Sequence, residues 1–462
     1  MAETTHLEWL KAYDVRGTVP EQLDPGEAYR IGLAFAQVAR PVGPVAVGHD
    51  IRLSSPALAK AVISGLNDGG VDTRELGQCG TEMVYFACAQ SGMGGGIMVT
   101  ASHNPANYNG MKLVAWDLRR RAVKALTRPA GLLAIEELVR TRTVRAAKHR
   151  GRNERWNLMP GYLDTLLSFV RGVDLEPLTI VCNAGNGGAG LIMDEIAPHL
   201  PFEIVPVYFQ PDGAFPNGVP NPLANEASNA ATVAAVKAHG AAFGVAWDGD
   251  FDRCFLFDET GAFVDGYYIV GLLASQMLAQ HGGGKIIHDP RLFWNTLELV
   301  AEAGGEALRS KTGHARIKEL MVASGAIYGG EMSAHHYFRD FASCDTGMAP
   351  WLVVAALISQ TGRKLSELVG ERVARFPCSG ERNRKVVQAQ PVFAAVERHF
   401  AAEQPAVDRF DGLSLAFGDR WRFNLRESDT EEGQMRLNVE AREDVGLVAE
   451  MTAEILRVID AV

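Results

Sequence analysis

An α/β fold divided into several domains is predicted by three observations. The chain has 462 residues, too many for one hydrophobic core. A strand-helix-strand pattern occurs three times along it. After about residue 387 the pattern changes to short strands followed by one terminal helix. Alternating strands and helices call for mixed or mostly parallel sheets, and the final section for a smaller α+β domain.

In the first copy, residues 45–50 read as a short apolar strand ending in Gly48 and Asp50. A helix follows over 55–66. A second strand over 97–99 then delivers Thr100-Ala101-Ser102-His103-Asn104-Pro105. In the second copy, a strand over 178–183 enters a turn with Gly185, Gly187 and Gly188. After a helix, a strand over 243–247 delivers Asp248-Gly249-Asp250-Phe251-Asp252-Arg253. In the third copy, a strand over 285–289 and a helix over 294–303 precede a strand over 326–328. That strand delivers Gly329-Gly330-Glu331-Met332-Ser333. The second strand of each copy ends in the more reactive loop. Ligands of open α/β sheets bind outside the carboxyl ends of strands, so three such loops facing one cleft make a composite site. Three independent units with ordinary polar loops are the alternative. The basic run 141–155 reads as a linker, and further junctions fall near 254–259 and 362–379. The expected domains are 1–150, 151–255, 256–370 and 371–462.

The composition, 47% hydrophobic and 22% charged, is that of a soluble globular protein. No apolar run approaches the roughly 20 residues of a membrane helix. The first ten residues carry Glu3 and Glu8 and no export signal, so a cytoplasmic protein is expected, away from membranes. A formal charge of −10 argues against nucleic-acid binding. Six scattered cysteines without a C-x-x-C pair point to free buried thiols rather than zinc or disulfides.

Asp248, Asp250 and Asp252 place three carboxylates in five residues after an apolar strand. Their repulsion calls for a hard divalent cation, and oxygen donors suit Mg²⁺. An acidic surface turn is the bland alternative. Ser102 beside His103 raises an acyl-transfer reading, but the G-x-S-x-G elbow is missing, and neighbouring side chains on a strand point apart. A capping serine remains open. A phosphate-carrying serine explains more, since it needs a metal, cations and amide donors nearby. Lys112 and Asn104 are close in sequence.

Tyr13-Asp14-Val15-Arg16-Gly17 and Asp50-Ile51-Arg52 put arginines near strand ends, as phosphate ligands or as ordinary ion pairs. Glu331-Met332-Ser333-Ala334-His335-His336 mixes acceptors and donors as a sugar clamp does. Lys311-Thr312-Gly313-His314 is a short polar turn. Arg426-Glu427-Ser428-Asp429-Thr430 suits a phosphate, though its acids favour an exposed loop. Residues 115–129, with Trp116, Arg119, Arg120, Arg121, Lys124 and Arg128, read as a solvated basic face or a contact for an anionic partner.

Taken together, the Ser102, Asp248–Arg253, Lys311–His314 and Gly330–His335 motifs resemble those of the α-D-phosphohexomutases, most closely the bacterial phosphomannomutase/phosphoglucomutase group. They run in that family's order over nearly the whole chain. The resemblance implies four domains around a central cleft, three of them related. It implies a phosphoserine at Ser102 that binds Mg²⁺ together with Asp248, Asp250 and Asp252. Glu331 and Ser333 are implied to hold sugar hydroxyls. Tyr13, Arg16, Lys112, Arg253, Arg291, His314 and His335 are implied to line the cleft. Arg426, Ser428, Asp429 and Thr430 form the implied phosphate loop of the fourth domain. His103, Lys112 and His314 are the implied acid/base residues.

The expected activity is therefore interconversion of hexose 1- and 6-phosphates by a monomer that feeds nucleotide-sugar and polysaccharide synthesis. Glucose 1,6-bisphosphate or mannose 1,6-bisphosphate is the expected activator. A phosphoglucosamine mutase and a weakened, non-catalytic sugar-phosphate binder are the rivals. The second draws on Asp429, where relatives usually carry asparagine, and on Glu432, where they usually carry proline.

Overall fold

The structure is a computed structural model and describes residues 7–428 and 433–462. The chain forms two compact units. The first comprises the residues up to Phe263 together with His335–Gly362, and the second Val264–Ala334 with Arg363–Val462. Mixed-sheet α/β domains and a separate antiparallel C-terminal sheet give the four-domain α/β architecture that the sequence predicts.

A seven-stranded mixed sheet opens the first unit. Its order is Val15–Thr18, Tyr108–Asp117, Gly95–Val99, Val45–His49, Thr73–Gln78, Asn153–Arg155, with Ala122–Ala125 paired to Tyr108–Asp117. Val45–His49 and Gly95–Val99 run parallel, with His49 opposite Val99. Every residue of Gly95–Val99 is buried, as a strand covered on both faces requires. The helices Pro25–Ala39 and Ser55–Asp68 add Ile31, Phe35, Leu58 and Val62 to the core. Asp24 caps the first of them by accepting the Glu27 N–H at 2.7 Å, and Pro25 stands at its start.

A further parallel strand stands in each repeat, which corrects the two-strand pattern: Thr73–Gln78, Glu203–Val207 and Glu306–Arg309. Their residues are mostly half-exposed and partly polar, so they lack the apolar run that marks a central strand. The basic run 141–155 is not all linker. Its last residues, Asn153–Arg155, pair with Thr73–Glu75 of the first sheet. The expected boundary at 150 therefore precedes a strand of that sheet. The one at 255 falls within the strand Cys254–Phe257, and the one at 370 within the helix Leu365–Arg375. The basic stretch 115–129 is largely a hairpin whose turn leaves Arg119, Arg120 and Arg121 exposed.

In the second sheet, Phe243–Trp247 lies between Thr179–Asn183, parallel, and Cys254–Phe257, antiparallel. The first unit also holds the antiparallel pair His336–Phe338 and Cys344–Asp345 and the buried helix Met348–Thr361. In the second unit, Lys285–His288 is flanked in parallel by Glu306–Arg309 and Tyr328–Gly330. The C-terminal sheet is antiparallel throughout, in the order Arg382–Lys385, Gln434–Ala441, Trp421–Glu427, Leu413–Phe417, Ala406–Asp408. On its strand Trp421–Glu427, Trp421, Phe423 and Leu425 join the core. Arg422, Asn424 and Arg426 alternate with them and so face the other side of the sheet. No helix among the described residues is long and apolar enough to cross a membrane.

Candidate active site

The Ser102 loop begins where Gly95–Val99 ends. Thr100 Oγ1 accepts the Ser102 N–H at 2.8 Å. Ser102 has φ of +48°, a left-handed conformation that costs a residue with a Cβ about 1 kcal/mol or more. Its buried Oγ donates to Asp248 Oδ2 at 2.9 Å and lies 3.0 Å from His103 Nδ1. This corrects the expectation that the Ser102 and His103 side chains point apart. Alternation holds only for extended backbone, and the positive φ at Ser102 breaks it.

The acidic loop folds back under its own aromatic residue. Phe251 is buried with φ of +45°, and a Cβ at Gly80 would stand 2.1 Å from its ring. A Cβ at Gly249 would stand 2.7 Å from the Ser102 carbonyl oxygen, so glycine is what lets the acidic loop approach the serine loop. Asp248, Asp250 and Asp252 are buried, and one oxygen from each lies within 4.8 Å of the others. Asp250 Oδ1 and Asp252 Oδ1 are buried without a hydrogen-bond donor. Hard, converging, unsatisfied oxygen atoms fit a divalent cation such as Mg²⁺.

Cations surround this triad. Lys112 Nζ donates to Asp250 Oδ2 at 2.7 Å and to Asp252 Oδ2 at 2.5 Å. Burial opposes its charge, but the two carboxylates outweigh burial and raise its pKa. Asp248 is pushed up to about 7 by burial and by its two acidic neighbours. Asp250 is held low, because Lys112 and the hydroxyl of Thr81 overcome its burial. His103 is pushed well below its ordinary value by burial and by Arg253 and Arg16, and so stays neutral. Arg253 Nε donates to His335 Nε2 at 3.0 Å, and His335 Nδ1 lies 3.2 Å from Asp345. Arg16 donates to Asp14 at 2.8 Å and to the Asn104 side chain at 2.5 Å. Tyr13 is half-buried and immediately precedes the buried Asp14 and Val15.

The second unit gathers a different set. Glu331 Oε1 accepts the Gly313 N–H at 3.0 Å, next to His314 at the start of the helix His314–Ser324. Ser333 Oγ accepts from Arg291 Nη2 at 3.4 Å. Asp411 accepts both the N–H and the hydroxyl of Thr312, at 3.1 and 2.8 Å, and stands 3.6 Å from Arg426 Nε. Arg426 and Ser428 are buried. Asp429 and Thr430 lie outside the described residues. Arg422 is committed to Glu440 at 2.7 Å and to the Arg291 carbonyl.

Several residues escaped the sequence reading. Thr81 donates to Asp250 at 2.5 Å from the first turn of the helix Thr81–Ala89. Asp345 and Asp411 join through side-chain contacts alone, and nothing around them in sequence marks them. Arg52 stood as an even choice between phosphate ligand and ion pair. It touches Asp50, 3.3 Å away, yet most of its donors go to backbone carbonyls of the Ser102 loop. The His-Asp-x-Arg spelling shared by residues 49–52 and 288–291 was the available signal.

The fold and this arrangement define a phosphoryl-transferring enzyme of the α/β class. The chain matches the phosphoglucomutase/phosphomannomutase alpha/beta/alpha domains I, II and III over residues 8–120, 160–261 and 265–376. A protein of Xanthomonas campestris pv. campestris (strain B100) called "Phosphohexose mutases" is 53% identical over 97% of this chain and 98% of its own length. A phosphomannomutase of Escherichia coli (strain K12) is 49% identical over 98% of this chain and 99% of its own. Among solved structures, a phosphoglucomutase/phosphomannomutase family protein from Burkholderia thailandensis superposes with a TM-score of 0.84 at 29% identity. That match covers 98% of this chain and 96% of the other. The chain belongs to the phosphoglucomutase/phosphomannomutase family. It is a phosphohexomutase, an isomerase with an acidic cluster able to hold a metal.

Proposed function

We propose that the enzyme interconverts the 1- and 6-phosphates of mannose and glucose through a phosphorylated Ser102 and a 1,6-bisphosphorylated sugar. One observation carries this reading. Ser102 Oγ, on left-handed backbone, donates to Asp248 at 2.9 Å inside a buried carboxylate triad ringed by Lys112, Arg253 and Arg16. A hydroxyl so placed is suited to bear a phosphoryl group between a cation and basic side chains. Mg²⁺ is the proposed metal, held by Asp248, Asp250, Asp252 and the Ser102 phosphate. When bound it supplies charge neutralisation and orientation of the phosphoryl oxygens.

In the first transfer, a sugar hydroxyl attacks the phosphorus on Ser102. The bond from phosphorus to Oγ breaks, and the hydroxyl gives up its proton as Oγ gains one. The sugar then carries phosphate on carbons 1 and 6. After it turns over, Ser102 Oγ gives up its proton and attacks the other phosphate. The bond from that phosphorus to the sugar oxygen breaks, the sugar oxygen gains a proton, and the product leaves with its single phosphate on the other carbon. No phosphate is gained or lost. Neutral His103, 3.0 Å from Oγ, suits proton transfer. Lys112, kept charged by Asp250 and Asp252, suits charge neutralisation. His314 is the further acid/base candidate.

Glu331 and Ser333 are proposed to take two sugar hydroxyls. Arg426, Ser428 and Thr430, with Asp429 beside them, are proposed to take the phosphate that is not reacting. Tyr13, Arg16, Arg291 and His335 are proposed as further substrate contacts. A glucose or mannose 1,6-bisphosphate would recharge a dephosphorylated Ser102. A cytoplasmic monomer supplying nucleotide-sugar and polysaccharide synthesis completes the reading. The test is to incubate the protein with Mg²⁺, glucose 1,6-bisphosphate and either mannose 1-phosphate or glucose 1-phosphate. Formation of the 6-phosphates is expected, and no turnover of either sugar overturns the reading.

A further inference from the structure

We propose that Arg52 is a positioning residue that presets the Ser102 loop for phosphoryl transfer, an inference that rests on Ser102 being the phosphoryl carrier. The Arg52 side chain is 1% exposed. Its Nη2 donates to the carbonyl oxygens of Ser102 at 2.8 Å and Asn104 at 2.6 Å. Its Nη1 donates to those of Pro105 at 2.6 Å and Tyr108 at 3.0 Å. The guanidinium is fixed from behind. Asp50 lies 3.3 Å from Nε, and the Phe215 ring centre is 5.2 Å from the guanidinium carbon. Asp50 is anchored in turn by the Arg52 N–H at 3.0 Å and the Ser55 hydroxyl at 2.5 Å.

Four carbonyls of one loop thus converge on one cation. Their negative ends are engaged by the guanidinium, which fixes the backbone that carries Oγ. The Ser102–His103 peptide is trans, so its N–H points opposite to the carbonyl that Arg52 holds. The bond to the Ser102 carbonyl also resists relaxation of the positive φ that turns Oγ toward Asp248. Arg52 does not touch the reacting oxygen, so it acts through the loop. Lysine would keep the charge, but its compact ammonium cannot span four carbonyls as a planar fork does.

The test uses the full-length protein carrying Arg52→Lys, with Arg52→Gln made beside it. Three quantities are read: kcat and KM for mannose 1-phosphate, transfer of phosphate from Ser102 to the sugar by intact mass, and the fold by circular dichroism. A folded Arg52→Lys is expected to lose about 10- to 100-fold in kcat with KM within about threefold. Phosphate transfer from Ser102 should slow by the same factor. A folded variant with kcat within about threefold of wild type, or with its loss confined to KM, overturns the proposal. If Arg52→Lys does not fold, Arg52→Gln is read by the same criteria. Misfolding of both variants makes Arg52 a folding residue and also overturns the proposal. Absence of phosphate on Ser102 in the wild-type protein after incubation with glucose 1,6-bisphosphate and Mg²⁺ removes the underlying reading instead, by a signal that the Arg52 variants do not share.

Discussion

The turn His49-Asp50-Ile51-Arg52 in the first unit and the turn His288-Asp289-Pro290-Arg291 in the second begin alike and end differently. Each follows a buried parallel strand. In each, the histidine Nδ1 donates to the aspartate carbonyl at 2.8 Å. In each, the aspartate Oδ1 accepts the arginine N–H, at 3.0 Å in one and 2.9 Å in the other. The guanidinium groups then part company. Arg52 gives four hydrogen bonds to carbonyls of the loop 102–108. Arg291 clasps Asp289 through Nε and Nη2, reaches Glu381 at 3.1 Å, and touches Ser333 at 3.4 Å. A four-residue spelling fixes the turn, because its bonds lie within the turn itself. The loop that packs above decides what the arginine does. Carbonyls above Arg52 make it a backbone clamp, whereas carboxylates and a serine around Arg291 make it an ion-pair centre beside the proposed sugar site.

The proposed function puts the phosphoryl carrier in the first unit and the sugar-hydroxyl contacts in the second, and that division breaks first at Ser102. Ser102→Ala is expected to lower kcat by at least about 10³-fold, roughly 4 kcal/mol of barrier, in a steady-state assay. Retained activity would end the assignment. Next comes Arg291→Met, which leaves buried Asp289 without its guanidinium while Glu381 keeps Arg436 at 3.1 Å. Removing one partner of a buried pair should cost about 3 kcal/mol, read as a lower midpoint in urea unfolding. An unchanged midpoint would show that Arg291 serves the ligand rather than the fold.

A pH series sharpens the comparison, because neither arginine titrates in the usual range and Glu82 does. Glu82 is buried in the first unit and accepts from Tyr162, Thr346, Gly347 and Met348. Burial pushes its carboxyl from 4.5 up to about 8, against the pull of those four donors. Between those values the unfolded chain has released the proton and the folded chain keeps it. Stability is therefore full below about pH 4.5 and is lost as pH rises toward about 8, by about 1.4 kcal/mol per pH unit. Glu82→Gln, which mimics the protonated form, should flatten that slope between about pH 6 and pH 7 in thermal unfolding. An unaltered slope would mean that the carboxylate is ionised in the fold. The smallest effect belongs to Ser333→Ala, expected to raise KM about fivefold, near 1 kcal/mol, with kcat little changed. A fall in kcat instead would move Ser333 from grip to chemistry.

Much of the site was legible because it sits in contiguous stretches. The acidic run 248–252 announces a cation by composition alone, and Ser102 follows a strand that nearly any reading finds. What stayed hidden had one of two causes. Thr81, Asp345 and Asp411 reach the site through contacts between segments distant in sequence, as with Asp411, which joins Thr312 to Arg426. The strands Thr73–Gln78, Glu203–Val207 and Glu306–Arg309 were missed because partly exposed, polar strands lack the apolar signal on which such readings rest.

The sequence by itself determined the α/β class, the repeated strand ends and the residues proposed to carry the chemistry. These follow from hydrophobic pattern and side-chain type, both local properties. Only the tertiary structure decided the left-handed Ser102, its approach to Asp248 past Gly249, and the different fates of Arg52 and Arg291. Each depends on which backbone atoms another segment brings within about 3 Å. Hydrogen bonds and ion pairs act at that range and carry no mark in the order of residues.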